Sequence, residues 1–176
     1  MKDLLIVVDY QRDFVDGALG LPGAEALDGP IASRIAAYRS AGHDVVFTMD
    51  THGHNYSATQ EGKKLPVPHC IAGEAGWELY GRTALARESG DCCFRKPTFP
   101  SLELAEWLKG RSYRRVELCG LVSHICVLSN AVMVKAALPE AEIVVDAALT
   151  ASYDPALHEK ALDILEGLQV TVRDRA

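Results

Sequence analysis

Apolar runs of strand length alternate with apolar residues at helical spacing along this chain, and the alternation persists from one end to the other. The first run, Leu4 to Val8, is unbroken, as in a strand covered on both faces. After a Gly- and Pro-rich loop from Gly17 to Gly23, residues Ile31, Ile35 and Tyr38 recur at helical spacing, and Gly42 offers a stop before a second run, Val45 to Met49. Further strands are predicted at Cys92 to Arg95, Val116 to Cys119, Ile143 to Val145 and Val170 to Val172. Helices are predicted at Leu102 to Lys109 and Ile125 to Ala137. A last one, opened by Pro155 and closed near Gly167, carries Leu157, Ala161, Ile164, Leu165 and Leu168 close to one face. Such an order specifies an α/β fold, a three-layer, doubly wound sheet of about six mainly parallel strands, Rossmann-like, with its ligand crevice beyond the carboxyl ends of the strands. The polar stretch from Asp50 to about Gly76 is longer than compact domains usually tolerate without a functional reason, so it is expected to build the site.

Composition adds mainly exclusions. The 176 residues suit one domain, and no linker or low-complexity tract divides them, so residues 1–176 are predicted to form a single domain. Net charge is -6 at pH 7 with Lys and Arg scattered, which argues against a nucleic-acid partner. The N-terminal apolar run ends at Asp9, far short of a signal-peptide core or a membrane span, so a cytoplasmic location without a membrane partner is expected. Five cysteines, an odd number without a C-x-x-C pair, argue for free thiols.

Four reactive side chains fall at predicted strand ends: Asp9 after the first, Asp50 after the second, Lys96 after the third and Cys126 after the fourth. Charged residues cap strands routinely, so each alone reads as structural. Together, on this topology, they face one crevice. Cys126 lies in GLVSHICVLSNA, where the chain leaves a strand at Gly120 and turns into a helix whose free N–H groups favour a thiolate. Cys92, Cys93 and Cys119 read instead as small buried strand residues. Asp9, desolvated at the end of an apolar strand, is a candidate proton carrier, and Lys96 a cation for both carboxylate and thiolate; a plain ion pair is the alternative. In D-T-H-G-H, extended chain would turn Asp50, His52 and His54 to one side, with His69 of P-H-C arriving from the far end of the loop. That donor set suits one divalent ion, zinc first, with manganese or iron(II) as alternatives.

These residues resemble a known family. LLIVVDYQRDFVDGALG is similar to the V-D-x-Q-x-D-F opening of isochorismatase-like cysteine hydrolases, FRKPTF to their lysine segment, and GLVSHICVLSNA to their nucleophile turn. The resemblance implies an Asp9, Lys96 and Cys126 triad, with a thioester formed on Cys126. It also implies a cis peptide between Leu121 and Val122, so that the N–H groups of Val122 and Cys126 form an oxyanion hole. Within the superfamily the likeness is nearest to nicotinamidases. It implies hydrolysis of a small-molecule amide, nicotinamide to nicotinate and ammonia, with Asp50, His52 and His69 holding the metal, and a homo-oligomeric state; some family members add a histidine several residues after D-x-H, and His54, closer than that spacing, is an optional fourth ligand. Phe14 matches one face of the aromatic clamp that holds the pyridine ring; the other face, commonly Trp, corresponds to Pro66. The alternative is an isochorismatase-type or other small-amide or carbamoyl hydrolase on the same scaffold; a non-catalytic module is disfavoured by the intact triad.

Overall fold

The computed structural model describes residues 1–175. In chain order they form β1 (Lys2–Val8), α1 (Arg12–Val15), α2 (Asp28–Ser40), β2 (Asp44–Asp50), α3 (Gln60–Lys64), α4 (Gly81–Ala86), β3 (Cys93–Lys96), α5 (Leu102–Leu108), β4 (Tyr113–Leu121), α6 (Leu128–Ala137), β5 (Glu142–Ala151), α7 (Pro155–Gly167) and β6 (Thr171–Arg173). The strands make one sheet in the order β3-β2-β1-β4-β5-β6, with every pairing parallel. The chain starts in the middle, winds outward to β3, then crosses back to lay β4 on the other side of β1. That reversal opens a crevice between the carboxyl ends of β1 and β4, as the predicted doubly wound fold requires.

The unbroken apolar run of β1 feeds two cores. Leu4, Ile6 and Val8 pack with Leu104, Leu108, Ala131, Val134, Leu162 and Leu165 of α5, α6 and α7 on one face. Leu5 and Val7 pack with Ile31, Ile35 and Tyr38 of α2 on the other. Alternation of side chains across a strand thus turns one hydrophobic segment into the floor of both layers. At the crossing, Gly120 has φ +111°, and a Cβ there would sit 2.0 Å from the carbonyl oxygen of Val8, so a side chain would force β1 and β4 apart where the crevice begins. The last helix starts as predicted: Asp154 accepts from the N–H groups of Ala156 and Leu157, and Pro155 occupies the first turn.

The long stretch after β2 is better ordered than its polarity suggests. Thr59 caps α3 by accepting from the Gly62 N–H, and His52 bridges Ile71 as a short parallel pair. Strand β4 is longer than its apolar run because Tyr113 pairs with Lys2 beyond the hydrophobic segment. Cys92 departs from expectation. It lies exposed just before β3, contributing its carbonyl to Phe47 N–H while β3 itself begins at Cys93. All five cysteines are free, and no described helix is long and apolar enough to cross a membrane.

Candidate functional site

Asp9 leaves β1 with φ 45°, a left-handed conformation that Asp tolerates better than most residues. Its N–H reaches the Thr48 carbonyl at 3.2 Å, its carbonyl accepts from Gln11 N–H at 2.8 Å, and its Oδ1 accepts from the Thr48 hydroxyl at 2.7 Å. The other oxygen, Oδ2, takes only the ammonium of Lys96, at 2.6 Å. Complete burial raises the Asp9 pKa, opposed by Lys96 and reinforced by the nearby charge of Asp50.

Lys96 is the hub of the site. From the last position of β3, almost fully buried, its Nζ lies 3.3 Å from Asp50 Oδ1, 3.1 Å from the Thr98 carbonyl and 3.5 Å from Cys126 Sγ. Burial disfavours its charge, but Asp9, Cys126 and Asp50 together outweigh that and raise its pKa. Cys126 sits in a π-helical turn, Ser123–Val127, that follows the cis peptide Leu121-Val122. The turn is widened because Val127 N–H reaches back five residues to the Val122 carbonyl, at 3.2 Å. The Ser129 hydroxyl donates to the Ile125 carbonyl at 2.7 Å and the Asn130 amide to the Cys126 carbonyl at 2.8 Å, tying the turn to the helix that follows. Burial pushes the Cys126 thiol well above the ordinary cysteine value even though Lys96 pulls it down. Burial and the Lys96 ammonium thus act on the thiol in opposite directions.

A second cluster adjoins the first through Asp50. Its Oδ2 lies 3.1 Å from His52 Nε2 and 3.3 Å from His69 Nε2, and Glu61 Oε1 lies 3.6 Å and 3.7 Å from the same two nitrogens. Ligand atoms of these four residues lie within 4.8 Å of one another. His69 Nδ1 bonds the Val67 carbonyl at 2.8 Å, which turns Nε2 inward, the arrangement that orients metal-binding imidazoles. Two imidazoles and two carboxylates fit a divalent cation of the zinc, manganese or iron(II) type. His54 does not join them. The chain turns at Gly53 after the bridge at His52, so the predicted alternation ends there; His54 is largely exposed and pairs with Glu74 instead. The fourth donor, Glu61, was missed in the sequence, although Thr59, as the cap of a short helix, marks where that carboxylate enters.

Other residues unread in the sequence hold the site. Gln11 clamps the backbone of Asp50 from both sides, accepting its N–H at 2.8 Å and donating to its carbonyl at 2.9 Å. Asp13 accepts from Cys70 N–H at 2.7 Å, fixing the segment that presents His69. Both lie in the Q-x-D portion of the opening motif. A cavity of about 450 Å³ connects the two clusters: Cys126 and Val122 lie on its lining together with Asp50, Glu61 and His69. Its remaining wall includes Phe14, Leu19, Leu65, Phe99, Ile125 and Tyr153. Leu65 lines the cavity, while Pro66, its neighbour, is exposed and outside the lining.

Known proteins share this fold. The chain is similar to the nicotinamidase/pyrazinamidase of Bacillus subtilis, with 30% identity, TM-score 0.87, 99% of this chain and 100% of that chain covered. It is 28% identical over 143 residues to the nicotinamidase/pyrazinamidase of Mycobacterium tuberculosis, spanning 72% of this chain and 75% of the relative. A pyrazinamidase of Pyrococcus horikoshii, solved in complex with zinc, superposes with TM-score 0.83 at 26% identity over 98% of both chains. Residues 3–176 match the isochorismatase domain, so the chain belongs to the isochorismatase family, and within it to the amidohydrolases.

Proposed function

We propose that this protein is a cysteine-dependent amidohydrolase of nicotinamidase type, converting nicotinamide and water to nicotinate and ammonia. One observation carries the reading. The cavity brings a thiol and the acids Asp50 and Glu61 of a metal-type cluster to a chamber otherwise walled largely by apolar side chains, and none of its lining residues is Lys or Arg. Isochorismate, ureidoacrylate and N-carbamoyl amino acids all carry carboxylates, for which the lining offers no Lys or Arg partner and two carboxylates that would repel them. An uncharged aromatic carboxamide meets no such cost.

In the proposed reaction, Asp9 takes the proton of the Cys126 thiol as sulfur attacks the carboxamide carbon. The C–S bond forms, and the carbonyl electrons move to an oxygen held by the N–H groups of Val122 and Cys126. Lys96, charged throughout, offsets the negative charge that passes between Asp9 and sulfur. Asp9 then returns the proton to the amide nitrogen, the C–N bond breaks and ammonia leaves a thioester. Water, deprotonated by Asp9, attacks that thioester; the C–S bond breaks, nicotinate forms, and sulfur recovers its proton. Phe14 lies on the wall where a ring would rest. Asp50, His52, Glu61 and His69 would hold a divalent ion, which when bound supplies an electrophile for the ring nitrogen and so orients the ring.

Ammonia release by the purified protein tests this. Nicotinamide should be turned over, and benzamide, lacking the ring nitrogen, should be slower by about 1 to 3 kcal/mol in transition-state binding. Metal analysis should find close to one ion per chain, falling sharply in His52→Ala. Equal rates on the two amides would remove the cluster from substrate recognition. Turnover of a carbamoyl compound but not nicotinamide would overturn the assignment.

A further inference from the structure

The turn that carries Cys126 is gripped from the other side by a segment outside the cluster of reactive groups. Ser123, directly between Val122 and the rest of the π-helical turn, is fully buried, and its hydroxyl meets His158 Nδ1 at 2.9 Å. His158 is the fourth residue of α7, whose first turn is pinned by the Asp154 cap. The next residue of the turn, His124, is held by the same part of the chain. Its Nδ1 meets the Ser152 hydroxyl at 2.9 Å and its Nε2 the Tyr153 hydroxyl at 3.2 Å. Ser152 in turn accepts from Asp154 N–H at 3.0 Å. Two consecutive residues of the nucleophile turn are therefore bonded to side chains of residues 152–158, and the cap of α7 ties that segment together.

We propose that His158 is a positioning residue: through Ser123 it fixes the backbone amides of Val122 and Cys126 at the orientation a developing oxyanion needs. This rests on the reaction proposed above. The geometric reason is leverage. Val122 precedes Ser123 directly, and the Val122 carbonyl accepts from both Ile125 and Val127 N–H, at 3.1 and 3.2 Å, so rotation of Ser123 moves both the peptide before it and the turn after it. A buried hydroxyl deprived of its imidazole would seek another partner by such a rotation. The nucleophile itself is located by other contacts, Lys96 at Sγ and Asn130 at the Cys126 carbonyl, and would stay in place. His158 thus acts on the stabilisation of the oxyanion and not on the thiol.

Two reactions of Cys126 separate these effects. Acylation by p-nitrophenyl acetate passes through an oxyanion; alkylation by iodoacetamide does not. In His158→Ala, acylation should fall roughly tenfold or more, less than the 10²- to 10³-fold typical of deleting an oxyanion donor outright. Alkylation should stay within about twofold of wild type, as the unmoved thiol contacts imply. His158→Asn, whose side-chain amide can reach the Nδ1 position, should recover most of the acylation rate. Ser123→Ala combined with His158→Ala should lose little beyond the single variants. Unchanged acylation in His158→Ala would overturn the proposal, as would an equal loss in both reactions or no recovery by Asn. Neither reagent depends on the natural substrate, so failure to hydrolyse nicotinamide would count against the functional assignment alone.

Discussion

This molecule holds two groups of buried charges, and they are built to opposite ends. Under α2, Arg34 pairs with Glu117 of β4 and lies 2.7 Å from Asp146 of β5. Tyr38 gives its hydroxyl to the second oxygen of Glu117 at 2.8 Å, and Ala148 N–H gives to the second oxygen of Asp146 at 2.9 Å. Every carboxylate oxygen there has a donor, and none of these residues lines the cavity between Cys126 and Asp50. At the carboxyl ends of the strands, one ammonium, Lys96, serves Asp9, Asp50 and the Cys126 thiol at once, and Asp9 Oδ2 has no other donor. A closed network fixes the sheet under its helix. An underfilled one leaves proton positions to be exchanged, and only that one opens onto a cavity.

The contrast breaks most visibly at Cys126. Cys126→Ala should lower turnover by about 10⁴-fold or more while thermal unfolding changes little, because a nucleophile acts with its partners as one unit. Turnover that survives would exclude a thioester. Asp9→Asn should follow, with a loss on the order of 10²- to 10⁴-fold from removing proton transfer at a site where an amide still accepts from Thr48. A rate near wild type would show that Asp9 is structural, like the carboxylates under α2.

Arg34→Ala should do the reverse. It strands Glu117 and Asp146 in the interior, so stability should fall by up to about 3–5 kcal/mol in denaturant titration, while turnover per folded molecule is kept. An equal fall in turnover would mean that the two networks are coupled through the sheet. The smallest effect belongs to the cavity wall. Leu65→Trp should tighten KM for nicotinamide by about 0.5–1.5 kcal/mol, the gain of a second aromatic ring on a lining that already holds Phe14. A weaker KM would show that Leu65 leaves room the substrate uses.

The fold was legible because it rests on periodicity. Unbroken runs such as LLIVV cannot be one-sided strands, and their alternation with helices leaves few topologies open. The strand ends were legible for the same reason, and with them the positions of Asp9, Asp50, Lys96 and Cys126. What pattern did not reveal lies in the loop after β2. His54 was expected to converge with Asp50 and His52, because alternation was carried past a turn at Gly53. Glu61 and Leu65 went unread because a five-residue helix has too little periodicity to announce itself. Gln11 and Asp13 sat in plain view within a recognised motif, but which backbone groups they hold, those of Asp50 and Cys70, depends on contacts across the fold.

The strand order has a consequence in time. β1 is made first yet sits at the centre of the sheet, where Leu5 opposes Val45 on one side and Glu117 on the other. A nascent chain can pair β1 with β2, and β2 with β3, soon after they emerge, but the second flank of β1 must wait for β4. Until then one edge of the most apolar strand is open to water and to other chains. The event that covers it, docking of β4, is also the event that carries Cys126 toward Asp9 and Lys96. Assembly of the reactive centre and protection of the growing chain against association are therefore one and the same folding step.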